Sequence, residues 1–189
     1  MSKLDEIFNE LSISIERSTE SMRHDLIVKV RGAQVYAEML EGVSVDYYGM
    51  PTPLQQMATI SVPEPRIITI KPWEQSQLKN IDKAIRESDL NLNPQIHSNF
   101  IRVLIPVLSD ARRKELVRLA KKYGEESKAV IHRKYLLGAN EQIAQLEADG
   151  ELSGNEASQA YSKVEQLGAV AIKQIDEIVA AKEKEILTG

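Results

Sequence analysis

The stretch IRVLIPVLSDARRKELVRLAKKYGEESK, residues 101–128, changes its grammar partway along. IRVLIP is a short β-branched run of the kind that forms a strand, and Pro106 closes it. From Ser109 onward Leu116, Leu119, Ala120, Tyr123, Val130 and Ile131 recur at three- and four-residue steps, which is one face of a helix, with Ser109 or Asp110 as its N-cap. The chain passes here from sheet to helix, so a domain boundary runs through this stretch.

Working outward, the same helical spacing appears at both ends. Leu4, Ile7, Phe8, Leu11, Ile15, Met22, Leu26 and Val30 form a narrow apolar seam through the first thirty residues. After the turn-like ADGELSGNE, Ala157, Ala160, Tyr161, Val164, Leu167, Ala171, Ile175, Ile178 and Ile186 form another. Three long helices with such seams can bury them only against one another, which predicts an antiparallel three-helix bundle built from residues 1–30 and 107–189.

Residues 31–106 read differently. Pro106 stands at their edge and the other six prolines lie among them, with strand-like runs at VSVDYY, MATISV, RIITIK and IRVLIP. Between these runs, Leu78, Ile81, Ala84 and Ile85 share a helical face. The expectation is an α+β two-domain protein whose small β/α domain is inserted into the bundle. Two crossings join the parts, at Arg31–Gly32 and at Ile105–Pro106, and these four residues are the expected hinge.

Composition narrows the function. With no cysteine the chain has no disulfide framework and no thiolate nucleophile or thiolate metal ligand. No segment approaches the roughly 20 apolar residues of a membrane span, and the N-terminus has no signal-peptide run, so a cytoplasmic protein without membrane partners is expected. His24, His97 and His132 have no metal-ligand spacing, no phosphate-binding GxxxxGK[ST] loop is present, and no catalytic carboxylate pair stands out. Neither an enzyme nor a cofactor or metal is expected. The net charge of −4 leaves polyanion binding to a local patch. Such a patch exists between Arg112 and Lys134, where nine Lys and Arg face three Glu.

VDYYGMPTPL, then SDLNLNP, then the ARRKEL helix, occurring in this order, resemble the corresponding segments of bacterial ribosome recycling factors over nearly the whole chain. The resemblance implies an L-shaped, monomeric factor that binds the post-termination ribosome through large-subunit RNA. With elongation factor G and GTP hydrolysis, such a factor releases mRNA and splits the subunits. It makes Arg112, Arg118, Lys121, Lys122, Lys128 and Arg133 the candidate ribosomal-RNA contacts, with Arg31 at the domain junction.

The chain departs from the family pattern in two places. Where the family reads R-x-G-R-A-x-P, Arg31 matches, but Gln34 replaces the second arginine and Ala37 the proline. Where it reads R-N-x-R-R-D-A-N, this chain reads HRKYLLGAN from His132 to Asn140, one residue longer. Counting from the upstream EESK puts the first family arginine at His132. Counting back from Ala139–Asn140 puts it at Arg133 and the later pair at Leu136 and Leu137. One extra residue turns everything beyond it by about 100° on an α-helix. A bulge or kink between His132 and Gly138 is therefore expected, because without one Ile143 and Leu146 would leave the seam. The arginine losses motivate an alternative reading, a divergent chain acting as a helical protein-interaction module with weakened ribosome binding.

Two aromatic features complete the reading. Trp73 is expected to pack in the core between sheet and helix, the alternative being an exposed contact with a protein partner. In VDYYGMPTPL, Gly49 and Pro51 are expected to make the turn between two strands, with Tyr47 and Tyr48 on opposite faces.

Overall fold

A computed structural model describes residues 1–30 and 37–188. Arg31, Gly32 and Gln34 lie outside the described residues. The helices are α1 (Lys3–Lys29), α2 (Leu78–Glu87), α3 (Asp110–Val130), α4 (Leu137–Ala148) and α5 (Gly154–Thr188), with a π-helix at Ile131–Leu136 joining α3 to α4. The strands are β1 (Ser44–Tyr47), β2 (Met50–Pro53), β3 (Ala58–Glu64), β4 (Ile67–Pro72), β5 (Pro94–Ile96) and β6 (Ile101–Leu104). Two compact units result, Met1–Leu26 with Val117–Glu183, and Ile27–Leu116 with Lys184–Gly189.

The long helices start where side chains satisfy their free N–H groups. Ser2 accepts the Asp5 N–H at 3.1 Å while Asp5 accepts the Ser2 N–H at 3.0 Å, a reciprocal capping box. Ser153 and Glu156 repeat that exchange before α5, at 3.1 and 2.8 Å. Of the two N-cap candidates for α3 it is Ser109 that acts, its hydroxyl accepting the Arg112 N–H at 3.2 Å.

In the first unit the seams meet as expected. Ile7, Leu11, Ile15, Met22 and Leu26 of α1 are buried, and so are Ala157, Ala160, Val164, Ala171 and Ile175 of α5. Thr19 occupies a seam position that the apolar pattern skips, and it stays dry by donating its hydroxyl to the Ile15 carbonyl at 2.9 Å. Close approach explains Gly124, where an added Cβ would stand 2.6 Å from a Val179 methyl.

The expected bulge is present, and it is a π-turn. At its end the Leu137 N–H bonds back to the His132 carbonyl, five residues earlier, rather than the usual four. Along α3 the buried positions run Leu116, Ala120, Gly124, Ser127 and Ile131, at steps of three and four. Beyond the bulge they resume at Ala139 and Ile143, one residue later than that rhythm would give. The extra residue is absorbed, and Ile143 is fully buried.

The second unit contains two sheets. β1 and β2 form an antiparallel hairpin, and the other strands form an antiparallel sheet in the order β3-β4-β6-β5. One face of the larger sheet supplies Ala58, Ile68, Ile70, Ile101 and Val103 to a core closed by Ile81 and Ile85 of α2 and by Leu40, Val45 and Leu54. Ala37 opens a short 3₁₀ turn through Leu40 that delivers Met39 and Leu40 to this core.

The hairpin differs from expectation. Tyr48 and Gly49 both have positive φ, 50° and 86°, so they are the two central residues of the turn, while Pro51 pairs with Asp46 inside β2. Because Tyr48 has left the strand, the tyrosines do not take opposite faces. Their rings meet edge-on at 4.6 Å, and both hydroxyls donate to Glu74, at 2.6 and 3.3 Å. Trp73 is not in the core: it is 65% exposed, and its indole N–H donates to the Thr59 hydroxyl at 3.0 Å.

The π-turn assigns opposite roles to neighbouring residues. In an uninterrupted α-helix Gln142 would take the seam position that Ile143 fills. Ile143→Ala should cost about 2–5 kcal/mol in urea denaturation, whereas Gln142→Ala should stay within about 0.5 kcal/mol. The reverse order would mean that the helix runs through without the extra residue being looped out.

Candidate ribosome-binding face

The basic stripe lies along α3 and the π-turn. Arg112, Arg118, Lys121, Lys122 and Arg133 are exposed, as are His132 and Lys134. Helical spacing puts Arg118, Lys122 and Arg133 on the side away from Leu116 and Ala120. Val130, expected in the seam, is 41% exposed instead.

The candidates are not electrostatically equivalent. Arg112 is paired with Glu115 one turn along its own helix at 2.8 Å, and Lys122 lies 3.9 Å from Glu126. Lys121 reaches across to Glu183 of α5 at 3.6 Å. Lys128 bonds to Asp176 of α5 and to Glu125 at 3.1 Å, and only 20% of its side chain is exposed. Arg118 and Arg133 have no ion-pair or hydrogen-bond partner among the described residues. A local basic stripe was expected along this helix. Packing against α5 divides it, because Lys121 and Lys128 sit on the flank of α3 that faces the α5 carboxylates.

The pairing of Lys128 also shifts its proton affinity. Its hydrogen bond to Asp176 raises the ammonium above the ordinary lysine value of 10.5, outweighing its partial desolvation. A raised folded-state value stabilises the fold below that ordinary value, and the contribution is lost as pH climbs through the folded one. At neutral pH Lys128 is a fixed cation already shared by two carboxylates.

Leu136 and Leu137 show what stands at one counting of the missing arginine pair. Leu136 is half-buried against α5, so close that a Cβ added at Gly168 would lie 2.5 Å from its Cδ1. Leu137 is 52% exposed at the mouth of a groove of about 860 Å³, whose walls include Asn140, Tyr161, Val164 and Ile172. Leu136 therefore serves packing between α5 and the π-turn. Among the expected hinge residues, Ile105 is tied to the second unit, its N–H donating to the Arg66 carbonyl at 2.7 Å, and Pro106 follows it in the loop before α3.

Sequence reasoning located these cations but not the carboxylates that neutralise some of them. Glu183 and Asp176 lie more than forty residues downstream, and only the antiparallel packing of α3 and α5 brings them alongside. Among the described residues no group of three or more His, Asp or Glu is gathered as a metal site, and no helix is long and apolar enough to cross a membrane.

Comparison with known proteins agrees with this architecture. The protein-family model for ribosome recycling factor matches residues 22–187. A ribosome-recycling factor of Sorangium cellulosum is 52% identical over 97% of this chain and 98% of its own length, and one of Anaeromyxobacter dehalogenans is 45% identical over 97% and 96%. A solution structure of a ribosome recycling factor superimposes with a TM-score of 0.77 at 36% identity, covering all of both chains. A second, at TM-score 0.67 and 33% identity, covers 98% of this chain and all of its own. It is a model of the T. thermophilus factor with E. coli elongation factor G, both bound to the E. coli post-termination complex. With its helical bundle, its inserted sheet domain and this near-complete match in sequence, the chain belongs to the ribosome recycling factor family.

Proposed function

We propose that this chain binds the post-termination ribosome and, together with elongation factor G and GTP hydrolysis, promotes release of mRNA and splitting of the subunits. The carrying observation is the 52% identity to a ribosome-recycling factor across 97% of the chain. A relative described on the post-termination complex alongside elongation factor G supports the same partners here. The interaction-module alternative draws no support from these comparisons. The chain acts as a binding factor: the GTP is hydrolysed by its partner, and it needs no cofactor of its own.

Within that function we assign ribosomal-RNA contact to the basic face of α3 and the π-turn, and rank its residues by how free their charge is. Arg118 and Arg133 come first, since a guanidinium without an internal partner can give both its N–H edges to phosphate. Lys122 and Arg112 follow, because exposed pairs with a neighbouring Glu are weak and exchange readily for phosphate. Lys121 and Lys128 come last, because binding RNA would have to draw them away from α5. We also propose Arg31 as a ribosomal-RNA contact, and Arg31–Gly32 and Ile105–Pro106 as the hinge.

Light scattering of post-termination ribosomes should show splitting that requires this chain, elongation factor G and GTP together; tight ribosome binding with no splitting would contradict the proposed function. In cosedimentation, Arg118→Glu with Arg133→Glu should abolish binding at moderate salt. The neutral pair Arg118→Gln with Arg133→Gln should flatten the salt dependence by roughly 0.7–0.9 per lost contact. Lys128→Met should leave ribosome affinity within about two-fold, its effect falling on stability at the α3–α5 contact. Equal loss from all three variants would refute the ranking.

A further inference from the structure

The larger sheet has a second face that α2 does not cover. Pairing places Gln95, Arg102, Thr69 and Ser61 side by side across β5, β6, β4 and β3, and Lys71 opposite Thr59. Directly paired residues point to the same side of a sheet, and this is the side away from Ile68, Ile70, Ile101 and Val103. One step past the last paired residues, the His97 N–H donates to the Phe100 carbonyl at 2.8 Å, which carries His97 and Phe100 onto the same row as Lys71. Their rings stack at 4.8 Å with 15° between planes. Trp73 is held beside this row by its bond to Thr59, and Gln75, two residues on, donates to the Asn99 carbonyl between His97 and Phe100 at 3.3 Å.

Away from its Ile67–Leu104 end, the open face thus presents an indole, a stacked His–Phe pair, two cations and an amide. Neither Lys71 nor Arg102 has an ion-pair or hydrogen-bond partner among the described residues. The only carboxylate paired onto this side, Glu64, stands opposite Ile67 at the far end of the sheet. This separation is not a reflection of composition, because residues 37–106 carry eight carboxylates against six Lys and Arg. Flat rings beside unneutralised cations on an antiparallel sheet are the chemistry that holds unpaired nucleotides, with bases stacked on rings and phosphates on the cations. A protein partner would need a continuous apolar centre. Here Lys71 stands between Thr59, which holds the indole, and Phe100, and the apolar pair on the same side, Ile67 with the 60% exposed Leu104, is set off from the rings by the Thr69–Arg102 row.

We propose that this face of the sheet is a binding surface for single-stranded RNA, with Trp73 and the His97–Phe100 pair as stacking platforms and Lys71 and Arg102 as phosphate contacts. It is separate from the basic face of α3, and substitutions on the two surfaces act on different readouts.

Trp73 is the only tryptophan, so its fluorescence reports the site directly. Titrating the full-length chain with a ten-nucleotide oligo(A) or oligo(U) RNA at low salt should quench that fluorescence, and the same sequence in a duplex should quench it far less. Lys71→Gln with Arg102→Gln should reduce the salt slope by about 1.4, two contacts at the single-strand value. With fluorescein-labelled RNA, Trp73→Ala should weaken binding roughly five- to hundred-fold, while Trp73→Phe should restore most of it. Arg118→Gln with Arg133→Gln should leave the quench unchanged while lowering ribosome cosedimentation, which keeps this proposal distinct from the ribosome-binding one. The proposal is overturned if there is no quench, if the quench is insensitive to Lys71 and Arg102, or if binding is lost only with the α3 arginines. It is equally overturned if purified elongation factor G perturbs Trp73 and RNA does not.

Discussion

The bundle depends on one geometric constraint: α3, the π-turn and α4 must keep their buried positions in phase on a single seam. One residue too many would rotate α4 by about 100° and expose Ile143. Full burial of a side chain such as Ile131 or Ile143 is worth about 1.5–3 kcal/mol. A π-turn costs roughly one imperfect backbone hydrogen bond, about 0.5–1.5 kcal/mol net. Burial wins, and the extra residue is looped out at Ile131–Leu136.

The same turn shapes the proposed ribosome-binding face. It holds His132, Arg133 and Lys134 exposed while directing Leu136 inward against Gly168. Arg118 and Arg133 carry charge that no carboxylate pairs among the described residues, as do Lys114 and Lys134, whereas Lys121, Lys122 and Lys128 are partly committed to α5 or to neighbouring glutamates. On the proposed reading, RNA affinity at this face depends on the number of cations whose field is not already neutralised. The second unit contributes a differently built surface, in which rings share the work with charge.

Much of this was legible in the sequence, and the failures have physical causes. Seam spacing located the helices, and the one-residue slip located the π-turn, because helical burial is periodic and a phase error can be counted. Strand β2 escaped notice because MPTP holds two prolines, which lack the N–H that a central strand needs but are tolerated on a two-stranded hairpin. β5 is only three residues long and begins with proline. Trp73 was expected inside on grounds of size. Its parity with Lys71, against the buried Ile68, Ile70 and Pro72, puts it on the open face. The Lys121 and Lys128 pairings were invisible because their partners are remote in sequence.

The account stands or falls on the π-turn as the device that keeps the seam in register, and a pair of single-residue deletions tests it. Deleting His132 removes the surplus residue where it is absorbed, so the helix should close into ordinary α geometry with unfolding free energy kept within about 1 kcal/mol. Deleting Glu126, an exposed residue of α3, should throw Leu116 and Ala120 out of phase with Ile131 and cost about 2–5 kcal/mol, the loss of at least one core side chain. Urea denaturation of the two variants supports the account if the His132 deletion is much the milder. Equal losses, or a greater loss from deleting His132, would contradict it.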